Sequence, residues 1–461
     1  MFNINNEIIL EKIMLKDFRK VKIGFANLQM LGVFQKEAEE KAVKLSDEAK
    51  SFLSRELNAE VFSNLPAVTN LDQARETWIY FKEKNVDAVI LFSGTFSLSN
   101  IMSEIIRNLD LPFLAWGLEE YLIDSRILAG SMIGLMPVGS VCRNLKKKFS
   151  FAYGSIKNKN AVKKVTEFID VVKAISYLAQ SRIGLIGSRP DGFEIAGFDE
   201  LAIKRIFGTT INKVSMDYLL NKIDSIKEDK IDEDMEIQKK IFDFNEKDIE
   251  GVRELSRVYL GVKEVINENK FNCYAPQCWP ELRMDRKTPI CPANGRMSAE
   301  GIMASCEADM DCSITMLALH ALSGSTPWTA DFVNLIEEKN SILFWHCGNA
   351  SYDLSDKKPQ LEIVYEGLAQ TASLRAGEAT VCRINHIGDK FEIFAGTGKL
   401  IDAEPVIRGS NSFIQMDCGN MEFIESLLEN GVPHHNVLIY GNLTSKLKTF
   451  ANLLDVPIIL K

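Results

Sequence analysis

The chain has 461 residues, which is too long for a single hydrophobic core and predicts two or three domains. Its hydrophobic fraction of 46% and charged fraction of 25% are typical of a soluble globular protein. The net charge of −9 argues against a nucleic-acid partner, because proteins that bind nucleic acids present a basic face to the phosphates.

Membrane and secretory signals are also missing from the sequence. The longest apolar run, residues 127–142, is interrupted by glycines and Pro137 and is shorter than the roughly 18 residues of a membrane span. Residues 1–11 carry acids and lack the pattern of a signal peptide. Nine cysteines occur without a Cys-x-x-Cys pair, which argues against a disulfide framework or a zinc knuckle. We therefore expect a cytoplasmic protein with reduced thiols and no membrane partner.

Strands and helices alternate through the first third of the sequence. Apolar runs predict four short strands, and helical periodicity predicts three helices between them. The strands are expected at residues 21–26, 61–63, 86–92 and 111–116, and the helices at residues 33–53, 71–84 and 98–108. Because this alternation is typical of parallel βαβ units in a doubly wound sheet, residues 1–145 are interpreted as an N-terminal α/β domain.

The segment from Phe92 to Ser97 follows the carboxyl end of a predicted strand, where open α/β sheets bind ligands. Ordinary strand-to-helix turns have the same position, so both interpretations stay open. No Gly-x-Gly-x-x-Gly motif opens the first unit, and no Gly-Lys-Ser/Thr phosphate loop occurs in the sequence. Nucleotide binding therefore has no support.

A second α/β domain is predicted at residues 146–325. It begins with a helix at residues 161–179 and a strand from Arg182, which enters a Gly/Pro turn carrying Arg189 and Phe193. The segment at residues 226–270 is charged and interpreted as largely solvated. One apolar helix face within that segment is formed by Val252, Leu255, Val258 and Tyr259.

One stretch near the end of this domain carries charge in an apolar neighbourhood. Glu307 lies among small, apolar and sulfur-bearing residues, where a carboxylate is unfavourable unless a partner neutralises it. Residues 313–322 predict a buried or half-buried helix, which would set Glu307 and Asp331 at its two ends, both able to face one cavity. Two converging carboxylates indicate a divalent metal site, an acid–base pair, or both. Asp331 could instead cap a further helix that we predict at residues 331–339.

Residues 326–461 predict a β-rich C-terminal domain, because short strands there are separated by glycine turns. The predicted fold is thus two Rossmann-like doubly wound α/β domains followed by a β-rich domain. The elements of the last domain are expected at residues 342–346, 361–365, 379–385, 390–395 and 413–416 for strands, 421–428 and 444–454 for helices, and 458–460 for a final strand.

Two adjacent histidines, His434 and His435, lie at the start of a predicted strand. Neighbouring strand residues point to opposite faces, so we expect one of them to reach a given cavity and the other to serve a substrate or supporting contact. With Glu307 and Asp331, one histidine forms a mixed oxygen and nitrogen ligand set that suits Mn²⁺ better than Ca²⁺ or structural Zn²⁺. A histidine buried in the core without a ligand role is the alternative.

Several motifs in this order resemble the L-fucose/L-arabinose isomerase superfamily. The similarity extends over essentially the whole chain, and its specific part runs from Cys278 to Gly441. The motifs are Cys278-Trp-Pro-Glu281, Pro292 to Arg296 with Glu300-Gly301, Ala304 to Asp309, Trp328 to Asp331, Trp345 to Asn349, and Pro433 to Asn436.

The resemblance implies an aldose–ketose isomerase with a bound divalent cation, usually Mn²⁺, with Co²⁺ or Mg²⁺ as alternatives. It assigns the metal ligands to Glu307, Asp331 and His435, with His346 matching a further histidine of the arabinose enzymes. It also implies that Glu307 and Asp331 divide the proton transfers of a cis-enediol mechanism. Asp at position 331 is the residue of the fucose enzymes, whereas the arabinose enzymes have Glu.

The substrate side of the resemblance is less specific. The substrate-facing motifs of the first domain do not match those of the fucose isomerases, so the resemblance does not assign L-fucose as the substrate. Related members act on other aldoses, including sulfonated glucose (sulfoquinovose). Arg189, Arg283 or Arg296 could bind an anionic substituent of the sugar. Surface or structural roles for these arginines are equally open. Substrate contacts are expected from His434, Trp279, Asn294, Arg296, Asn349, Arg189 and Phe193.

The family also implies a homo-oligomer, a trimer or a hexamer, in which the first domain of a neighbour helps to close the site. The loop from Gly94 to Ser97 is the candidate for that contact. Two other functions stay open: a sugar-binding or sensory protein without turnover, and a metal-dependent hydrolase. Because both carboxylates and the histidine pair are retained, the sequence favours catalysis over a degenerate binding protein.

Overall fold

The computed structural model describes residues 20–32, 36–120, 122–123, 126–388 and 390–461. Their contacts divide the chain into two compact units. The small unit contains the described residues up to Ser176 together with Ser445–Asp455, and the large unit contains Tyr177–Thr444 and Val456–Lys461. None of the helices in these ranges is long and apolar enough to cross a membrane.

The small unit is built on a parallel sheet. Its strands are β1 (Lys22–Leu28), β2 (Glu60–Phe62), β3 (Ala88–Ser93), β4 (Phe113–Gly117) and β7 (Phe149–Tyr153), and a short hairpin is formed by β5 (Leu122–Ile123) and β6 (Arg126–Ile127). Its helices are α1 (Lys36–Arg55), α2 (Leu71–Lys84), α3 (Ser99–Asn108), α4 (Ser131–Asn144) and α5 (Lys159–Gln180), which leads into the large unit. The strand order β2-β1-β3-β4-β7, with all neighbours parallel, confirms the predicted βαβ alternation.

Helix α2 begins and ends where the sequence predicts. Asn70 caps its first turn by accepting a hydrogen bond from the backbone N–H of Gln73, and Asn85 ends it in the left-handed conformation. The helix predicted from residue 33 is observed from Lys36, since residues 33–35 lie outside the described part of the chain, as do residues 1–11.

The first layer of the large unit is also a parallel α/β structure. Its strands are β8 (Arg182–Ile186), β9 (Thr210–Val214), β10 (Cys273–Pro276) and β11 (Met303–Ala304), in the order β11-β10-β8-β9. Its helices are α6 (Glu200–Phe207), α7 (Met216–Asp224), α8 (Glu228–Ile241), α9 (Ile249–Asn269), α10 (Cys291–Ala299) and α11 (Met310–Ser323). The apolar face predicted at Val252 to Tyr259 lies on α9 and is buried, which confirms it. Helix α11 is buried along almost its whole length and contains the predicted helix at residues 313–322.

The rest of the large unit is rich in β-structure, as predicted. It contains β12 (Trp328–Ile336), β13 (Ser341–His346), β14 (Gln360–Val364), β15 (Gly367–Ser373), β16 (Gly377–Ile387), β17 (Lys390–Ile401), β18 (Ser410–Met416), β19 (His435–Tyr440) and β20 (Ile458–Leu460), with helix α12 (Asn420–Glu429). Helix α13 (Thr444–Leu454) falls, apart from its first residue, in the Ser445–Asp455 segment of the small unit. These strands form one sheet in the order β14-β15-β18-β13-β12-β19-β16-β17-β20. A further pairing between β17 and β18 closes six of them into a ring.

The helix predicted at residues 331–339 is wrong. These residues continue strand β12 to Ile336 and then form a single 3₁₀ turn at Glu337–Lys339. Strand β12 lies between β13 and β19, and its backbone hydrogen bonds are therefore made to strands on both sides. Asp331 accordingly lies inside a strand and does not cap a helix. Long-range strand pairing decides this segment, and local periodicity does not report it.

Candidate active site

Four segments of the large unit meet at one place. The turn after β11 supplies Glu307, β12 supplies Asp331, the end of β13 supplies His346, and the start of β19 supplies His435. Asp331 is directly opposite His435 in the antiparallel pairing of β12 and β19. Directly opposed residues have neighbouring side chains, so the strand register itself brings this carboxylate beside this imidazole.

Glu307 is presented by a tight turn between β11 and α11. Glu307 and Ala308 both adopt left-handed backbone conformations, with φ angles of 54° and 59°. This conformation is unfavourable for residues with a side chain by about 1–2 kcal/mol each, and it is concentrated at functional sites. The turn ends at Asp309, whose Oδ1 accepts a hydrogen bond from the backbone N–H of Cys312 and caps α11.

The two carboxylates lie close to one ring nitrogen. Nε2 of His435 is 3.6 Å from Oε2 of Glu307 and 3.9 Å from Oδ1 of Asp331. Two groups of potential ligand atoms, each within 4.8 Å of one another, contain this imidazole: one with Glu307 and His434, and one with Asp331 and His346. The geometry therefore brings together all four residues predicted as metal ligands.

The orientation of His435 is fixed from behind. Its Nδ1 lies 3.1 Å from Oδ2 of Asp309, and Asp309 is held by two hydrogen bonds of 2.8 and 3.0 Å from the guanidinium of Arg383. A carboxylate at Nδ1 favours the tautomer with the proton on that nitrogen, which leaves the Nε2 lone pair directed at Glu307 and Asp331. Sequence reasoning did not assign a role to Asp309 or Arg383. A charged residue between Cys382 and Ile384 in a predicted strand was the available signal for Arg383.

Both members of the histidine pair reach Glu307, which corrects the expectation that they point to opposite sides. Nε2 of His434 is 4.0 Å from Oε2 of Glu307, and the two imidazole rings are 4.2 Å apart. The reason is that β19 begins at His435, so His434 lies before the strand and does not follow its alternation. The His435 side chain is 3% exposed and that of His434 41%, so His434 is the one that faces the solvent side.

Charge at the site is set by burial and by these neighbours. Burial alone would raise the pKa of Glu307, but the adjacent His434 and the charges of His435 and His346 lower it below its usual value. Burial likewise opposes ionisation of Asp309, yet Arg383 and His435 hold the pKa of that carboxyl well below its usual range. The pKa of His434 is raised, chiefly by the Glu307 carboxylate. The site therefore holds ionised carboxylates beside imidazoles.

The donor set fits a divalent cation. The Oδ1 atom of Asp331 is buried and has no hydrogen-bond partner among the residues that the structure describes. A buried carboxylate oxygen without a donor is unfavourable, and a cation is the usual partner in such a position. Adjacent ligands of a six-coordinate ion are about 3 Å apart and opposite ones about 4.2 Å, which brackets the distances from His435 Nε2 to Glu307 and Asp331. Two carboxylates with imidazoles form a set suited to Mn²⁺ and similar ions.

Two aromatic residues predicted to bind substrate lie at the site. Nε1 of Trp279 is 3.4 Å from Oε1 of Glu307, close enough for a long hydrogen bond to the carboxylate. The ring of Phe193 packs edge-on against Trp279 at 5.6 Å and against His434 at 6.1 Å. Together they form an apolar wall beside Glu307.

The other predicted substrate residues have different surroundings. Arg296 is 2% exposed and forms two hydrogen bonds of 2.8 and 2.7 Å with Asp234. Asn294 accepts a hydrogen bond from the Tyr274 hydroxyl, and Asn349 accepts one from the Trp328 indole. These three side chains therefore make their hydrogen bonds within the protein core. Arg189 is exposed in the loop after β8.

A cavity next to the ligand residues contains groups that sequence reasoning did not connect. Glu307 and His346 line it together with Trp279, Arg283 and Tyr365. The remaining lining residues are Pro289, Val364 and four cysteines, Cys278, Cys291, Cys306 and Cys347. Each cysteine comes from a different segment, which is why their convergence is not visible in the sequence.

Comparison with known proteins gives the following similarities. No family model matches the sequence. The sulfoquinovose isomerase of Priestia megaterium is 26% identical over 399 residues, covering 84% of this chain and 89% of that protein. The sulfoquinovose isomerase of Alkalicoccus urumqiensis is 22% identical, covering 81% and 86%. The L-arabinose isomerase of Actinobacillus succinogenes is 21% identical, covering 82% of each chain.

These similarities support the resemblance of the chain to the L-fucose/L-arabinose isomerase superfamily. The sulfoquinovose isomerase relatives indicate that the chain is an aldose–ketose isomerase. A solved glucose–galactose binding protein from Geobacillus stearothermophilus aligns with 12% identity over 67% of this chain and 92% of that chain, with a TM-score of 0.17, which is too low to indicate a shared fold.

Proposed function

We propose that this isomerase interconverts sulfoquinovose, a glucose with a sulfonate at C6, and the corresponding 2-ketose. The convergence of Glu307 and Asp331 on Nε2 of His435 carries the proposal for the reaction type. The choice of sugar is supported by two relatives named sulfoquinovose isomerase, whose similarity covers more than four-fifths of this chain.

We propose that the metal ligands are Glu307, Asp331 and His435, with His346 as a fourth, and that Mn²⁺ is the cation, with Co²⁺ or Mg²⁺ as substitutes. The bound cation would stabilise negative charge on O1 and O2 of the sugar, the oxygens of the two carbons between which hydrogen moves. Asp309 fixes the ring of His435 through Nδ1 and so keeps Nε2 directed to the ligand position.

Proton movement is assigned to the two carboxylates. One of Glu307 and Asp331 removes the proton from C2 of the open-chain sugar, and the other moves a proton at C1 or O1, so that hydrogen passes between the carbons through a cis-enediol. Trp279 orients the Glu307 carboxylate through its indole N–H. His434 is exposed enough to donate a hydrogen bond to a sugar hydroxyl, and Phe193 limits access of water to Glu307.

The reaction is tested by hydrogen exchange. The Mn²⁺-loaded protein is incubated in D₂O with sulfoquinovose, L-fucose, L-arabinose and D-arabinose, and both the ketose and the deuterium at the exchanging carbon are measured by NMR. We expect exchange and ketose formation with sulfoquinovose and none with the Glu307→Gln variant. If no sugar exchanges, the isomerase assignment is wrong. Thermal stabilisation by a sugar without exchange, retained in Glu307→Gln, would identify a binding protein.

We also propose a cytoplasmic homo-oligomer, a trimer or a hexamer. The support is the resemblance of the motifs between Cys278 and Gly441 to an oligomeric family. The loop from Gly94 to Ser97 is proposed to reach the site of a neighbouring subunit. Light scattering at several protein concentrations tests the assembly, and a monomer at all of them would contradict it.

A further inference from the structure

Arg283 is the one arginine among the lining residues of the cavity that contains Glu307 and His346. It lies in a five-residue π-helical turn, Glu281–Asp285, a conformation that is rare and often found at functional sites. Its side chain is only 22% exposed. A cationic side chain thus lines the same cavity as the carboxylate that is assigned to the reaction.

Two neighbours hold this guanidinium on its outer side. Glu366 accepts a hydrogen bond of 3.0 Å from Nε, and the ring of Tyr365 lies 4.1 Å from the guanidinium carbon. Tyr365 adopts a left-handed backbone conformation, with φ of 57°, in the turn between β14 and β15. A bulky residue with positive φ is an outlier, and here the unusual backbone places its ring against Arg283.

The other edge of the guanidinium has a weak partner. Nη1 is 4.0 Å from the sulfur of Cys347, which also lines the cavity, and this distance is too long for a strong hydrogen bond. Within the described residues, neither Nη atom is bonded to an oxygen acceptor. Glu366 does not line the cavity and is bonded to Nε, which leaves the Nη groups for a ligand in the cavity that Arg283 lines. The planar fork of arginine binds the oxygens of sulfonates, phosphates and carboxylates in this arrangement.

The two other arginines considered for an anionic substituent are not equivalent. Arg296 is fully engaged with the buried carboxylate of Asp234 and also packs its guanidinium on the ring of Tyr259, at 3.4 Å. Arg189 is exposed in a loop and does not line the cavity. Only Arg283 combines a partly desolvated position, a restrained side chain and a shared cavity with Glu307.

We propose that Arg283 is the specificity-determining residue for an anionic group on the sugar, bound through its Nη edge at the end of the chain remote from C1 and C2. This inference rests on the proposed function, since it takes the sugar to lie with its reacting carbons at Glu307 and Asp331. The ligand class is a sulfonated hexose, whose sulfonate oxygens would accept hydrogen bonds from the Nη groups. A hydroxyl or a methyl group at the same carbon would leave the positive charge of Arg283 without an anionic partner.

The test compares a charged sugar with its neutral parent. Sulfoquinovose and 6-deoxy-D-glucose differ in the sulfonate, so kcat and KM for both are measured in wild type, Arg283→Gln and Arg283→Lys. We expect Arg283→Gln to lower kcat/KM for sulfoquinovose by about 30- to 100-fold, mainly through KM. The same substitution should change kcat/KM for 6-deoxy-D-glucose by less than about threefold. Arg283→Lys keeps the charge but loses the planar guanidinium, so its kcat/KM for sulfoquinovose should lie between those of wild type and Arg283→Gln. Arg107→Gln removes an exposed arginine of the small unit and serves as the matched control.

Calorimetric binding of sulfoquinovose separates this inference from the proposed function. Binding that weakens in Arg283→Gln, in a protein that exchanges no hydrogen, would support the subsite and reject the isomerase. Turnover of sulfoquinovose that is unaffected by Arg283→Gln would reject the subsite alone, as would an equal loss for both sugars. Failure of wild type both to bind and to convert sulfoquinovose would reject both. Thermal unfolding of each variant shows whether it is folded, and Arg283→Lys, which keeps the ion pair with Glu366, provides the second variant.

Discussion

The Nδ1 atom of His435 lies 3.1 Å from Oδ2 of Asp309, and Asp309 is in turn paired through both oxygens with the fully buried guanidinium of Arg383. The three side chains form a chain of charge-assisted contacts that ends at the ring nitrogen facing Glu307 and Asp331. Orientation of the imidazole therefore depends on a pair that does not itself face the cavity.

Removal of the Asp309 charge should weaken metal binding. In Asp309→Asn the amide no longer holds Nδ1–H of His435 as strongly, and the loss of such a supporting carboxylate lowers metal affinity by about 10- to 100-fold. Mn²⁺ titration followed by electron paramagnetic resonance measures the affinity. An unchanged affinity in folded Asp309→Asn would show that the ring is oriented by other contacts.

Removal of Arg383 should be strongly destabilising. Arg383→Met leaves the buried Asp309 carboxylate without its cation, and breaking a buried pair in this way lowers the free energy of unfolding by about 3–5 kcal/mol. Urea unfolding measures it. The control is Arg253→Met, which breaks the half-exposed contacts of Arg253 with Asp232 and Glu228 and should change stability by less than about 1 kcal/mol. Equal effects of the two substitutions would contradict the prediction.

Asp311 should make the stability pH-dependent in the opposite sense to a normal salt-bridged carboxylate. Burial raises its pKa to about 6, against the lowering effect of Arg383, and one of its oxygens accepts the backbone N–H of His386 at 2.9 Å. Because the folded pKa lies above the unfolded value of about 3.9, the stabilisation is present at low pH and is lost as the pH rises to about 6.

The variant Asp311→Asn removes this titration. The free energy of unfolding of the variant, relative to that of wild type, should increase by about 2 kcal/mol between about pH 4.5 and about pH 7.5. Urea unfolding of the metal-free proteins across this range measures the difference. A difference between the two proteins that does not change with pH would contradict a raised pKa.

Metal should stabilise the folded chain through the proposed ligands. At 100 times its Kd, a ligand that binds only the folded state adds about 2.7 kcal/mol, so the Tm of the chelator-treated protein should rise when Mn²⁺ is added. Glu307→Gln replaces one carboxylate ligand and should abolish most of this rise. Calorimetric scans with and without Mn²⁺ test it, and an equal rise in Glu307→Gln would show that the cation binds elsewhere.

Local sequence signals predicted much of the fold because they act over a few residues. Helix α2 was placed residue for residue from its periodicity, and α13 from the same kind of pattern. The segment after Asp331 was not, because its neighbours in β13 and β19 are distant in sequence and determine that it is a strand. A local rule cannot supply that information.

The candidate site shows the same division. Glu307, Asp331 and His435 were selected from motifs that the sequence displays directly, and the structure brings them together. Arg296 was selected from a motif as well, but its partner Asp234 lies 62 residues away in another helix and engages it in the core. Asp309 and Arg383, separated by 74 residues, were missed for the same reason.

The pairing of Asp331 with His435 also determines when the site can form during synthesis of the chain. Strand β19 inserts between β12 and β16, and its first residue, His435, is translated more than a hundred residues after Glu307. A nascent chain on the ribosome therefore has its first carboxylate long before the imidazole that faces it. Cation supply can act through this centre only on chains translated beyond residue 435, and earlier folding proceeds without help from it.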